Sequence, residues 1–221
     1  MSSVFQIIKR IVNVKFKFLN RAFKDASFNL LDVGAGNRSA SKTTSVFPQC
    51  NYYGLDLDKQ TDYVTEDFVK MKAFYQLDLT KLDYSNIPEN YFDYINMAHV
   101  IEHLYNGDKV IPLLLPKLKV GGYFYIEYPG KKSLKLPSMY GTLNFNDDPT
   151  HVRVYSIIEL EEVFKANGCK IISSGMRRNW YYITAIPLRV LLSLVKEGKI
   201  QGNIFWDILG FAEYLFVRKV S

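Results

Sequence analysis

Cysteine is nearly absent from this chain of 221 residues, which holds only Cys50 and Cys169, in neither a metal-ligand nor a redox spacing. That excludes a disulfide-framed fold and a thiolate metal centre. With no secretory signal, the two cysteines read as reduced thiols in a cytoplasmic protein. No apolar run reaches the roughly 18 residues of a membrane span. Acids are missing from the first 24 residues, where Lys9, Arg10, Lys15, Lys17, Arg21 and Lys24 all precede Asp25. The formal net charge of +6 therefore belongs to that segment, and the remaining 22 cations and 22 acids cancel. A neutral domain offers no basic face to neutralise phosphates, which argues against nucleic acid as a partner. There is no internal repeat or low-complexity segment, and a 48% hydrophobic content is enough for one domain with a sizeable core.

The chain is organised around Leu30-Leu31-Asp32-Val33-Gly34-Ala35-Gly36-Asn37-Arg38-Ser39. An apolar run ends in a carboxylate and breaks into two close glycines, the pattern of a buried strand entering a loop where a ligand approaches backbone. Ser39 can cap a helix behind it, giving the strand, Gly loop and helix of a nucleotide cradle in an open α/β sheet. A dinucleotide fingerprint wants a third glycine where Ser39 stands, and Asp32 would repel a pyrophosphate while suiting a cationic ligand. Asp56, in Tyr52-Tyr53-Gly54-Leu55-Asp56, ends the next expected strand and can accept ribose hydroxyls. A third strand, Phe74 to Leu79, carries Asp78, and Asn90 to Leu104 follows with Phe92-Asp93-Tyr94-Ile95 and Glu102-His103-Leu104.

From Leu30 to Met176 the chain resembles class I S-adenosylmethionine (SAM)-dependent methyltransferases of type 11/23, whose text is an acid-Gly-x-Gly loop, "G-hydrophobic-D", "D-L", "FD-hydrophobic" and "EHL". Arg38 departs from their commonest Gly-x-Gly-x-Gly form. The resemblance implies a Rossmann-like α/β fold with a seven-stranded, mostly parallel sheet, helices on both faces and an antiparallel last strand. It implies SAM as cofactor and S-adenosylhomocysteine as product, held by Asp32, Gly34, Ala35, Gly36, Asp56, Leu57, Asp78, Leu79, Met97 and Ala98. By that resemblance Asp78 bonds the adenine amino group, Leu57 and Leu79 border the ring, and Met97 and Ala98 line the methionine end.

Ahead of the 26–221 domain, Phe5, Ile8, Val12, Phe16, Leu19 and Phe23 recur at spacings of three and four, with Lys9, Asn13, Lys17 and Lys24 opposite. The spacing predicts one amphipathic basic helix over 1–25 that either packs on the domain or, through residues 1–24, attaches to an anionic membrane surface; a transit peptide is a weaker third reading. Further expectations are a first helix over Ser41 to Phe47, a fourth strand over Phe92 to Met97, and a helix over Val100 to Leu104. Gly121-Gly122 should turn the chain into a fifth strand, Tyr123 to Tyr128. Tyr63 to Lys72 takes no assignment. Residues 130–151 read as an acceptor lid, because a loop of that length is commonly functional. Ser156-Ile157-Ile158-Glu159 reads as a capping box, and Lys170 to Ser174 as a sixth strand. In the 180–221 extension the last strand falls near Phe211 to Val217. The earlier apolar segment, Ile183 to Val195, is open between an acceptor pocket, a dimer contact and a membrane-facing helix.

All three histidines fall on one rim. Imidazole can take a proton at neutral pH, so His151 is the first candidate for a general base and His99 the second. On a helix, His99, Glu102 and His103 would share a face, similar to the Glu-x-x-Glu-His segment with which some quinone and small-RNA methyltransferases hold a metal, with His151 as a distant ligand. Here His99 replaces the first Glu, and the primary reading places no metal. The function expected is methyl transfer to a small-molecule or glycan-type acceptor at oxygen. The Gly36 to Thr43 and Leu143 to Pro149 segments resemble methyltransferases of bacterial surface-polysaccharide clusters. No Asn/Asp-Pro-Pro-Tyr/Phe motif points to a nucleobase amino group. The other readings are metal-assisted transfer, a non-catalytic SAM-fold partner protein and a nicotinamide oxidoreductase.

Overall fold

A computed structural model describes residues 4–59 and 64–221. Seven strands, β1 (Phe28–Val33), β2 (Cys50–Asp56), β3 (Met71–Gln76), β4 (Phe92–Ala98), β5 (Leu118–Pro129), β6 (Cys169–Met176) and β7 (Ala212–Lys219), form one sheet. Their order is β3-β2-β1-β4-β5-β7-β6, and only β7 runs antiparallel to its neighbours. This is the Rossmann-like α/β arrangement expected from the sequence. The order reverses between β1 and β4, so their C-terminal ends open the crevice where ligands of such sheets bind. Leu30, Leu31 and Val33 are fully buried, as a central parallel strand covered on both faces requires.

The two faces differ in what covers them. One core joins Leu31, Val33, Ile95, Met97 and Ile126 to helices that follow the fourth strand. The other is aromatic, with Phe28, Tyr52, Tyr94, Tyr125 and Phe216 meeting the N-terminal helices. That segment is two helices, α1 (Val4–Val12) and α2 (Val14–Phe23), because Asn13 is extended between them (φ −82°, ψ 124°). The expectation of one continuous helix is corrected there; the Phe5 side chain lies outside the described ones. Phe16, Phe18 and Leu19 of α2 are buried, and Phe18 stacks on Tyr125 at 4.9 Å. Burial of this kind is worth about 1.5–3 kcal/mol per large apolar side chain. Arg10 is buried as well, reaching the Val46 carbonyl at 3.2 Å and Asp25 at 2.8 Å.

Along the chain, α3 (Ser39–Val46) opens at Ser39, and α4 (Thr65–Lys70) occupies part of the unassigned stretch, whose Tyr63 lies outside the described residues. Strand β3 ends at Gln76, two residues before Asp78. Where a helix was expected over Val100 to Leu104 there is a 3-10 turn, Ile101–His103, before α5 (Gly107–Leu114). The Gly121-Gly122 pair is a bulge inside β5 and not a turn before it, since pairing passes from Phe92 with Leu118 to Tyr94 with Tyr123. Residues 130–151 carry two 3-10 turns, Lys131–Lys135 and Phe145–Asp147. Ser156 caps α6 (Ile157–Ala166) by accepting the Glu159 N–H, while the Glu159 carboxylate turns to Arg153 at 2.5 Å. The C-terminal extension adds α7 (Trp180–Thr184), α8 (Ile186–Glu197) and α9 (Trp206–Leu209) before β7.

Candidate active site

The glycine loop leaves β1 with positive φ at Gly34 (68°) and Gly36 (57°), a region that favours glycine. A Cβ on Gly34 would stand 2.2 Å from Val100 Cγ2, so the loop can lie this close to Val100, just past β4, only as glycine. Ala35 is buried, and its N–H donates to the Leu55 carbonyl at 3.1 Å. Asp56 joins the loop to β2, accepting N–H bonds from Gly36 (3.1 Å) and Leu57 (2.7 Å). Asp78 caps the next 3-10 turn through the Thr80 N–H (2.9 Å) and hydroxyl (2.6 Å), which hold its carboxyl below the usual carboxylate range. Gly34, Asp56, Leu57, Asp78 and Thr80, together with Leu79, Val100 and Thr150, line a cavity of about 630 Å³, a size that takes a cofactor.

Five of the candidates lie off that cavity, Ala35 and Gly36 of the loop among them. Met97 is fully buried in the core beneath it, Ala98 is half-buried, and the residues that line the wall there are His99 and Val100, just past the end of β4. Asp32 is 1% exposed and has its oxygens taken. Its Oδ2 accepts from Lys15 Nζ (2.7 Å), Ser39 Oγ (2.7 Å) and Tyr52 OH (2.5 Å), and its Oδ1 from Asn96 Nδ2 (2.5 Å). The Asp32 carboxylate thus ties β1, β2, β4, α2 and α3 together beneath the loop.

Beside this cavity lies a smaller one of about 110 Å³, which shares His99 and His103 with it and adds Glu102, Thr142, His151 and Trp206. His99 has positive φ (56°) and donates from Nδ1 to Glu102 Oε1 (3.2 Å) and from Nε2 to Glu127 Oε1 (2.9 Å). Burial alone would push its pKa down, but the two glutamates outweigh it and raise the imidazole to about 9, so His99 is charged at neutral pH. Behind it the charges alternate, Arg177 bridging Glu127 (2.8 Å) and Asp207 (3.0 Å). Glu127 is buried, which would raise its pKa, yet the Arg177 charge and the His99 contact bring it to about 2.

The other two histidines face each other, ring centroids 4.9 Å apart. His151 Nδ1–H donates to the Phe145 carbonyl at 2.7 Å, which leaves Nε2 with its lone pair. His103 Nδ1–H donates to Thr150, whose hydroxyl lies at 2.9 Å and whose carbonyl at 3.2 Å, because the Thr150 hydroxyl hydrogen goes to Asp148. Ligand atoms of Glu102, His103 and His151 all lie within 4.8 Å of one another, whereas His99 stands outside this group. The face shared by His99, Glu102 and His103 on an α-helix is not formed.

With this geometry the sequence comparisons agree. The methyltransferase domain family matches residues 8–174. The chain belongs to that family. Among curated relatives, the uncharacterised methyltransferase YcgJ of Bacillus subtilis is 26% identical over 145 residues, 64% of this chain and 57% of YcgJ. The YcgJ crystal structure superposes with a TM-score of 0.57 at 18% identity, covering 93% of this chain and 97% of that one. A SAM-dependent methyltransferase from Archaeoglobus fulgidus gives 0.56 at 17% identity, with 98% and 100% covered. One from Mesorhizobium loti gives 0.62 at 12% identity, with 93% and 97% covered. At these identities the structures speak for the fold, that of class I SAM-dependent methyltransferases.

The residues of this chain fit a nucleoside-bearing cofactor: Gly36 has only the Gly34 carbonyl, at 3.9 Å, near the place of a Cβ, so the loop surface is open to a close ligand. Sequence reasoning missed Lys15, Tyr52 and Asn96 as partners of Asp32, and Glu127, Arg177 and Trp206 behind His99. One signal was present for the first of these, since Lys15 falls off the Lys9, Asn13, Lys17 and Lys24 stripe of the N-terminal segment.

Proposed function

We propose that this methyltransferase moves the methyl group of SAM to a hydroxyl of a small molecule or sugar, with His151 as general base. The observation that carries this reading is the His151 tautomer, fixed by the Phe145 carbonyl so that Nε2 is the acceptor in a cavity that meets the large one at His99 and His103. When bound, SAM supplies an electrophilic methyl on a sulfonium sulfur, whose C–S bond breaks as the acceptor oxygen bonds the carbon. Asp56 would accept the ribose hydroxyls, Asp78 the adenine amino hydrogen, and Gly34, Ala35 and Gly36 would pass beside the methionine end. His151 Nε2 would take the acceptor's hydroxyl proton, and the lid from Gly130 to His151 would keep water out. His99, charged and bound at both nitrogens, is given a positioning role in place of the base considered for it.

A second reading rests on Glu102, whose Oε2 is buried without a hydrogen-bond partner among the described residues, beside His103 and His151. A divalent ion held by these three would orient the acceptor oxygen instead.

Calorimetry with S-adenosylhomocysteine and single-turnover assays over a panel of hydroxylated acceptors test the proposal. Asp56→Ala should weaken cofactor binding about ten-fold or more, the loss of a charge-assisted contact. His151→Asn should lower kcat by about 10² to 10⁴ with cofactor affinity unchanged. A folded wild type that gives no binding heat overturns the cofactor reading, and full activity of His151→Asn overturns the base.

A further inference from the structure

Helix α8 sets polar groups inward beside half-buried Ile186 and Val190 and leaves its larger apolar stripe outside. Its inward side holds polar groups: Ser193 is buried, donating to the Lys199 carbonyl (2.6 Å) and accepting from the Gln201 N–H (3.2 Å), and Arg189 donates to the Ile204 carbonyl (3.1 Å). Its outward side is hydrocarbon. Leu188, Leu191, Leu192 and Val195, spaced as one helical stripe, are 58%, 59%, 44% and 76% exposed, and Leu194 widens it. No water-facing helix gains from that distribution, and an apolar patch of this kind marks a surface that something covers. The sequence alone left this segment open between a pocket, a dimer contact and a membrane face; the outward leucines exclude the pocket.

The surroundings decide between the other two. Exposed Trp180 and Tyr181 of α7 lie immediately before α8, the residue types that settle at a bilayer's polar boundary. Trp180, Tyr181 and Ile11 of α1 line a cavity of about 410 Å³ with Lys17 and Arg178 and with no acid among its lining residues. Lys196 and Lys199 flank the end of α8, with Glu197 the acid between them. A second copy packed on this face would add the same cations to the interface, with Glu197 as the acid between Lys196 and Lys199, whereas an anionic lipid surface complements them. At twelve residues α8 is too short to cross a bilayer and suits lying in its interface.

We propose that the α8 leucine stripe, with α7 and the adjoining basic cavity, docks this methyltransferase onto anionic membrane surfaces. The docking face is joined to the acceptor lid, for the segment that Ser193 holds continues to Gly202, whose N–H donates to the Tyr140 carbonyl at 2.6 Å. The N-terminal contribution is smaller than its charge suggests, because α2 gives its apolar face to the sheet and Arg10 and Lys15 turn inward.

The test is co-sedimentation of the full chain with vesicles of phosphatidylcholine alone and of phosphatidylcholine with phosphatidylglycerol, at low and high salt. Binding is expected to the anionic vesicles only and to fall with salt. Leu191→Asp with Val195→Asp should reduce the bound fraction at least ten-fold. Lys196→Glu, which leaves the stripe intact, should reduce it about five-fold. Unchanged thermal midpoints will show that both variants fold. Equal binding to neutral vesicles, or none to either, overturns the proposal. So does a dimer mass by sedimentation equilibrium that becomes monomeric in Leu191→Asp with Val195→Asp, which would make the cover a second copy.

Discussion

Lys15 Nζ lies 2.7 Å from Asp32 Oδ2 and 3.0 Å from Ser39 Oγ, so a cation from the N-terminal helix sits at the end of β1. Ser39, Tyr52 and Asn96 remain on the Asp32 carboxylate if the lysine is removed. Lys15→Ala should therefore cost about 1.5–3 kcal/mol, the worth of one charge-assisted hydrogen bond, and less than a stripped buried charge would. Asp32→Ala should cost more, since it orphans four donors at once. Urea denaturation of both variants measures this, and equal midpoints for wild type and Lys15→Ala would show that α2 is held by its phenylalanines alone.

The two loop glycines should respond differently to the same substitution. At Gly34 a methyl would overlap Val100 Cγ2 at 2.2 Å in a left-handed backbone, whereas at Gly36 the nearest atom, the Gly34 carbonyl oxygen, is 3.9 Å away. Gly36→Ala should cost only about 1–2 kcal/mol for its positive φ. Gly34→Ala should lower the thermal midpoint further and abolish cofactor binding, and Val100→Ala in the same chain should restore part of the midpoint. Equal effects at both glycines would mean that the contact with Val100 yields freely.

Asp147 organises the 130–151 segment proposed as a lid. Burial would raise its pKa, but the Ser138 hydroxyl and the N–H groups of Leu143 (2.8 Å), Asn144 (2.8 Å) and Met139 (3.1 Å) outweigh it and bring the carboxyl down to about 2. A depressed carboxylate contributes its stability above the unfolded pKa of 3.8 and loses it as pH falls from there through about 2. The lid should therefore be fully ordered at neutral pH and loosen in acid. Asp147→Ala should loosen it at neutral pH, seen as faster hydrogen exchange at Met139, Leu143 and Asn144 after correction for intrinsic rates, with β1 and β4 amides unaffected.

Motifs that reside in one short segment were legible. The strand, the two glycines and the acids at Asp56 and Asp78 announce themselves locally, and the sheet order follows from the family those motifs resemble. What depended on distant partners was hidden: Asp32 meets Lys15, Tyr52 and Asn96 across 17, 20 and 64 residues. His99 was read as helical because Glu102 and His103 follow at helical spacing, yet its left-handed φ lets both ring nitrogens reach glutamates. In α8 the periodicity shows that one face is apolar and cannot show which face turns outward.

The last prediction separates a base from an ion at Glu102, His103 and His151. Two protein ligands held at about 2.0–2.1 Å from one Zn²⁺ cannot stand more than about 4.2 Å apart. The three ligand atoms lie within 4.8 Å of one another, close enough for one ion after small side-chain shifts. Glu102 already has a cation, since His99 donates to its Oε1 at 3.2 Å. His151 Nε2 lies 3.8 Å from Asp148 Oδ2, a carboxylate able to stabilise the imidazolium formed by proton uptake. Chelator should therefore leave kcat unchanged, while His151→Asn lowers it by about 10² or more. His103→Asn, which leaves the His151 bond to the Phe145 carbonyl in place, should cost about ten-fold or less. Loss of activity on chelation with recovery on adding Mg²⁺ or Zn²⁺, and equal losses in Glu102→Gln, His103→Asn and His151→Asn, would assign the three residues to a metal instead.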